Sequence, residues 1–410
     1  MNKFKLKSLN KSNRVQNDTG INVKELIELI SNSKYKKQIQ ELLEIEKIKD
    51  EFIEIPGAKT LIEEIKKLNK KFVKIDINSK LSDISFFDDK GFTINFNNLS
   101  ETNNDYFDKN NYKSITTIPI YSASRDFFSN LFNMDKYAQS LINNGHNDIL
   151  STNLEIIKTK KINFKKKFRI IHDTNENKFY LRAITSTNNY YNYDNNITVV
   201  VSLLVLHNEM KKNNIKYSIS NCEYNESRIR IFYESYGKKK LEKIGYVKNL
   251  IEVSNDEIKR EALRFTGINS IIFSSKSKKS NELYIKPKNT KSLILSIKHN
   301  QSPEKAIKEL GNIDRTNEIH KELYNDIENV TKIKDAEQIK FLIRRKIENA
   351  KREEIKKHRQ KILKVLDKKV KNIIELLDTF NKIELIISTD IEAKEYLRYI
   401  AYETLTKKNK

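Results

Sequence analysis

The chain has 410 residues, of which 38% are hydrophobic and 32% charged, and it carries a formal net charge of +23. That length suggests two or three domains, or one large domain with an extension. Eight glycines and four prolines are too few for a turn-rich barrel or sandwich of short strands, and a single cysteine excludes an internal disulfide and a cysteine-cluster metal site.

Residues 1–22 are polar, basic and aperiodic, and read as a flexible arm. Helical patterns follow at Val23–Ile30, Lys36–Phe52 and Lys59–Leu68, so residues 23–70 are expected to form a helical segment. Phe72–Ile77 and Phe92–Leu99 alternate as strands, with Asp88–Gly91 between them as a turn. Residues 103–111 read as a loop, and Asp126–Leu141 as a helix with core aromatics.

Lys158–Arg169 holds seven basic residues and no acidic one. Phe168–His172 and Phe179–Ile184 then predict an antiparallel hairpin. Asp194 and its neighbouring asparagines are N-cap candidates for a helix at Ile197–Lys211, apolar nearly all round and therefore interior. Lys216–Glu223 and Arg228–Ser235 predict a second hairpin. Ser254 and Glu257 resemble a capping box opening a helix over Asn255–Phe265. Ile271–Phe273, Leu283–Ile285 and Leu293–Ile297 read as strands, the first two flanking a basic loop, and Ser302-Pro303 opens a helix. From there to Leu377 the pattern is helical with a near-heptad apolar stripe, and Ile391–Leu405 adds a last amphipathic stretch. The expected fold is α+β: an antiparallel sheet core with a buried helix over 71–300, N-terminal helices before it, and a long-helix module over 301–410, with a coiled coil as one form of that module.

The charge points to a polyanion partner, nucleic acid first, although an AT-rich genome also enriches lysine. No apolar run reaches the ~18–20 residues of a spanning helix, and the first residues lack the apolar core of a signal peptide. A cytoplasmic or intravirion location and no membrane partner are the expectations. Phosphate-loop, dinucleotide, zinc-protease and nucleophile-elbow motifs are all missing, and the six histidines are scattered. No enzyme activity, cofactor or metal is therefore expected. Dispersed carboxylates such as Asp173, Glu176 and Asp194 leave a metal-dependent nuclease as a third reading.

The candidate phosphate contacts are Lys158, Lys160, Lys161, Lys165, Lys166, Lys167, Arg169, Arg228, Arg230, Lys238, Lys239 and Lys240. Lysines on a sheet edge neutralise phosphates, or equally keep that edge solvated and unaggregated. Arg228 and Arg230 share one sheet face, where they could follow a phosphate backbone or pair with Glu223 or Glu226 across the strands. Arg182 with Tyr190, Tyr191 and Tyr193 could engage bases by stacking; the alternatives are packing for the tyrosines and pairing with Asp194 for the arginine.

Residues 178–208 resemble a family of phage- and plasmid-encoded proteins of unknown function. The resemblance rests on an R-A-x-x-S element (Arg182, Ala183, Ser186), a following tyrosine, and the Asp194-Asn195 pair that opens an apolar helix. It covers about residues 165–300; the family's Asn-Ser-Glu-x-Gly element after that helix is absent. The resemblance implies a mobile-element origin and, for some members, handling of single-stranded DNA. The expected function is non-enzymatic nucleic-acid binding, DNA ahead of RNA, by a homo-oligomer in replication, recombination or packaging. The alternative is a virion or assembly component that self-associates through its helices.

Overall fold

The computed structural model describes the chain except residues 1–3, 5, 89–90, 103, 188–189, 259–260, 275–279, 289 and 407–410. It divides into a larger unit, Met1–Glu64 with Tyr193–Lys410, and a smaller one, Ile65–Asn192.

The N-terminal part is more ordered than a flexible arm. Strand β1 (Lys7–Asn10) pairs antiparallel with a later strand, and β2 (Ile21–Asn22) leads into α1 (Val23–Glu28). The single helix expected over 36–52 is two, α2 (Lys36–Leu42) and α3 (Ile45–Ile48), because Glu44 between them turns left-handed at φ +47°. Then come β3 (Phe52–Ile53), paired with β2, and α4 (Ala58–Lys71). The Asp18 carboxylate accepts from the backbone N–H groups of Lys59 (3.3 Å) and Thr60 (2.9 Å), tying residue 18 to the first turn of α4.

The smaller unit contains β4 (Phe72–Lys80), β5 (Ile84–Asp88), β6 (Gly91–Phe96), α5 (Asp105–Lys109), β7 (Ile115–Pro119), α6 (Ala123–Phe127), α7 (Asp135–Asn143), α8 (Asn147–Lys160), β8 (Lys165–Asp173) and β9 (Lys178–Thr185). The strand order is β4-β8-β9-β7-β6-β5, antiparallel except for β7 beside β9. The 88–91 turn falls partly outside the described residues. The expected 103–111 loop contains α5, capped by the Asn104 side chain. One sheet face buries Ile75, Ile77, Phe168, Ile170, Leu181 and Ile184 in a core with Phe127, Phe128, Leu131 and Phe132. The helix expected over 126–141 is interrupted at Asn133, φ +58°.

In the larger unit, α9 (Asn195–Asn213) is the expected buried helix. Asp194 caps it, accepting from the Ile197 N–H at 2.9 Å, and it ends where Asn214 turns left-handed. It packs on a sheet of β10 (Tyr217–Tyr224), β11 (Arg228–Ser235), β12 (Lys239–Leu241), β13 (Gly245–Asp256), β14 (Glu261–Ser274), β15 (Ser280–Ile285) and β16 (Leu293–Ile297), with β1 at its edge. The helix expected over 255–265 is instead the end of β13 and the start of β14. The residues that read as a capping box have other partners: the Ser254 hydroxyl donates to Glu261 (2.9 Å), and Glu257 accepts from the Asn195 N–H (2.8 Å). Pairing of β13 on both flanks outweighs the local helical pattern.

The C-terminal module is a set of short helices: α10 (Pro303–Lys308), α11 (Thr316–Ile327), α12 (Ala336–Glu348), α13 (Glu353–Lys356), α14 (Arg359–Leu366), α15 (Ile373–Ile386) and α16 (Ile391–Leu405). Asp335, Asn372 and Asp390 each cap a fresh helix start, so the near-heptad stripe is cut into pieces of 15 residues or fewer rather than one rod. The α15 and α16 helices pack on β15, and α11 packs on β14.

Candidate nucleic-acid interface

The basic run opening the central stretch straddles two elements of the smaller unit. Lys158 and Lys160 end α8, Lys161 follows its last turn, and Lys165, Lys166 and Lys167 begin β8. Lys80 of β4 lies directly opposite Lys165, a like-charge cross-strand pair. The ammonium groups of Lys161 and Lys166 approach the same half-exposed ring, Phe164, at 5.7 and 5.2 Å. Lys158 differs: it is largely covered, 3.5 Å from Glu155 and 5.5 Å from the Phe86 ring. Among the described residues no carboxylate pairs with Lys80, Lys160, Lys161, Lys165 or Lys166.

Further along β8 the expectation fails for physical reasons. Arg169 is fully buried; its Nε is 3.1 Å from Asp76 Oδ1, and its guanidinium donates to the Tyr190 hydroxyl (3.3 Å) and to Asn192. Arg182 is the extra residue of a bulge in β9, where the register steps from Arg169↔Ala183 to Ile170↔Leu181, and it too is fully buried. Tyr190 and Tyr193 are buried; the Tyr193 hydroxyl donates to the Gln301 carbonyl at 2.7 Å. Tyr191 is partly exposed. The motif residues thus pack and brace, and no row of exposed rings is formed by Tyr190, Tyr191 and Tyr193. Asp173 and Asp194 likewise have local backbone partners, at Asn175 (3.1 Å) and Ile197 (2.9 Å).

Arg228 and Arg230 project from β11 into a network of carboxylates. Arg228 meets Asp256 (2.6 Å) and Glu392 (2.7 Å); Arg230 meets Glu252 (3.0 Å), Glu261 (3.1 Å) and Glu395. Lys286 adds contacts to Glu252 and Glu395. Burial opposes ionisation of Glu395, but Arg230 and Lys286 hold it well below the usual carboxylate range. Burial pushes Asp256 up to about 6 against the pull of Arg228. A second buried group joins Glu223 to Lys394 (2.8 Å) and Arg398 (3.0 Å). Guanidinium groups so enclosed are braces between sheet and helix, and are not available to phosphates.

Lys238, Lys239 and Lys240 are exposed, and they have company that the sequence reading missed. Tyr236 is 65% exposed and Tyr246 39%. The Lys238 ammonium sits 4.2 Å over the Tyr246 ring, and that of Lys239 4.0 Å over Tyr324 of α11. Lys240 pairs with Tyr246 in the β12–β13 register. The tip is built on positive φ at Gly237 (+127°), Lys243 (+62°) and Gly245 (+153°), which turn the chain sharply enough to present both rings. Lys238, Lys239, Lys240 and Lys243 have no ion pair among the described residues; the exposed Glu242 is the one acid in 236–248. The legible signal was each tyrosine beside a glycine, flanking a lysine run.

Among the described residues, no three His, Cys, Asp or Glu side chains are grouped to hold a metal ion. Nor is any helix there long and apolar enough to cross a membrane. No family model, curated protein or solved structure matches the chain.

Proposed function

We propose that this chain is a non-enzymatic nucleic-acid-binding protein of a phage or plasmid, DNA being the favoured polymer, acting in replication, recombination or packaging. The observation that carries the reading is the β12–β13 tip, where exposed Tyr236 and Tyr246 stand among lysines that have no ion pair among the described residues. Rings with accessible faces stack on unpaired bases, and ammonium groups beside them follow the backbone, so single strands are the favoured form. The lysine cluster around Phe164 offers a second phosphate-contacting surface, whereas Arg169, Arg182, Arg228 and Arg230 serve the fold.

The test is fluorescence anisotropy with single- and double-stranded oligonucleotides across a salt series. Binding of single strands should weaken steeply with salt, and Tyr236→Ala with Tyr246→Ala should reduce it without altering the far-UV circular dichroism. No binding of either form at about 50 mM salt, where several phosphate contacts are strong, refutes the reading.

One observation favours self-association as a second reading. Phe341 and Leu342 on α12 and Leu385 on α15 are 56, 39 and 75% exposed, apolar surface on the helical module that an assembly contact would cover.

A further inference from the structure

The turn between α8 and β8 of the smaller unit carries a surface that nucleic-acid binding does not account for. The Phe164 N–H donates to the Lys161 carbonyl at 2.9 Å, which closes a turn with Ile162 and Asn163 at its centre. Turn centres favour glycine, proline, asparagine, aspartate and serine. The Ile162 side chain, 53% exposed, answers no need of the turn. The Phe164 carbonyl accepts from the Leu81 N–H at 3.0 Å, so the turn is pinned beside the end of β4.

Two more apolar groups are close in the chain. Ile156, toward the C-terminal end of α8, is 50% exposed, and Phe164 is 36% exposed. Lys160 follows Ile156 by four residues, so the two share one face of that helix. Lysines surround these side chains. Lys161 and Lys166 hold their ammonium groups 5.7 and 5.2 Å from the Phe164 ring, and Lys165 faces Lys80 across β8 and β4. Lys161 also donates to the Leu131 carbonyl at 3.1 Å, which fixes its position and leaves its charge uncompensated. Glu155, the acid nearest in the chain, lies 3.5 Å from Lys158. Lys80, Lys160, Lys161, Lys165 and Lys166 have no ion pair among the described residues.

The apolar groups decide between two polyanions. A nucleic acid is held by ammonium groups on its phosphates and by ring faces on its bases. Branched aliphatic side chains do neither, and beside a strand they would lie against its charged backbone. An anionic bilayer uses both kinds of group. Its headgroups carry the charge that lysines match, and its acyl boundary takes up apolar side chains. Contact of this kind needs no spanning segment, the feature whose absence from the sequence argued against a membrane partner.

We propose that the α8–β8 turn docks the smaller unit on a membrane surface rich in anionic phospholipid. Ile156, Ile162 and Phe164 enter the acyl boundary, and Lys80, Lys160, Lys161, Lys165 and Lys166 meet headgroup phosphates. This assigns the phosphates at the Phe164 cluster to lipid and leaves strand binding to the β12–β13 tip.

The experiment is co-sedimentation of the full chain with vesicles of phosphatidylcholine alone and of phosphatidylcholine mixed with phosphatidylglycerol. The mixed vesicles should bind at least about tenfold more tightly at about 50 mM salt. Changing Lys160, Lys165 and Lys166 together to glutamine should weaken that binding about a hundredfold, at roughly fivefold per lysine. Ile156→Ser with Ile162→Ser should weaken it about tenfold or more, with circular dichroism and single-strand oligonucleotide binding unchanged. Tyr236→Ala with Tyr246→Ala should bind vesicles as the wild type does. No binding to the mixed vesicles, or full binding by the isoleucine variant, overturns the proposal. So does loss of oligonucleotide binding by that variant, which gives the surface to nucleic acid. A chain that binds vesicles but no oligonucleotide refutes the strand-binding reading alone, and one that binds oligonucleotide but no vesicle refutes this proposal alone.

Discussion

Replacing Glu223 by glutamine tests the claim that buried ion groups lock the C-terminal helices onto the sheet. Glu223 is fully buried on β10 and accepts from Lys394 Nζ at 2.8 Å and from Arg398 at 3.0 and 3.3 Å. Arg398 also lies 4.9 Å over the Phe232 ring and 3.3 Å from Glu384. The glutamine keeps the shape and one acceptor, but turns an amide donor toward two cations. Breaking a buried pair by removing one partner costs about 3–5 kcal/mol. Glu384 still serves Arg398, so the lower end, about 3 kcal/mol, is expected.

The pH profile gives an independent measure. Burial raises the Glu223 carboxyl, but Arg398 and Lys394 overcome this and bring it from its ordinary 4.5 down to about 2. A depressed native value stabilises the fold above the unfolded value, and that contribution is lost as pH falls from about 4.5 to about 2. At about 1.4 kcal/mol per pH unit, the displacement is worth about 3–4 kcal/mol, within the range of the first figure. Urea unfolding followed by tyrosine fluorescence and circular dichroism, at neutral pH and down this range, reads both. The wild-type advantage over Glu223→Gln should shrink as pH falls through that window. A loss below about 1 kcal/mol at neutral pH, or an advantage unchanged at pH 2, refutes the role assigned to the network.

Four further outcomes are expected. Changing Lys238, Lys239 and Lys240 together to glutamine should lower the salt dependence of single-strand binding by about 2 in the log–log slope, at roughly 0.7 per phosphate contact; an unchanged slope removes β12 from the interface. Tyr236→Ala should weaken binding by about 1–3 kcal/mol, whereas Tyr190→Phe should leave it unaltered and instead cost about 1 kcal/mol of stability through the lost Arg169 bond. Gly245→Ala should destabilise by about 1–3 kcal/mol, because φ is +153° and a Cβ would come within 2.1 Å of the Ile272 carbonyl oxygen; denaturation midpoints check it. Leu385→Ser should leave the unfolding free energy within about 0.5 kcal/mol, since the residue is 75% exposed, and light scattering of the same variant reports whether that surface associates.

Periodicity carried the elements whose pattern and surroundings agree. The 168–172/179–184 hairpin, the Asp194-capped apolar helix and the 217–235 hairpin were all legible in the chain, because a buried helix needs apolar residues all round and a sheet needs alternation. The division into helical pieces after Pro303 was not read from the pattern, although Asp335, Asn372 and Asp390 cap three of the restarts. Only the tertiary structure decided what the cations do. The sequence presents Arg169, Arg228 and Arg230 as one more set of positive charges beside the lysines, but their carboxylate partners at Asp76, Asp256, Glu252 and Glu395 stand between 22 and 165 residues away. Charge neutralisation across such separations leaves no local trace, since only folding sets those side chains within reach. The same applies to the tyrosines: burial by distant segments withdrew Tyr190 and Tyr193, and turn geometry exposed Tyr236 and Tyr246.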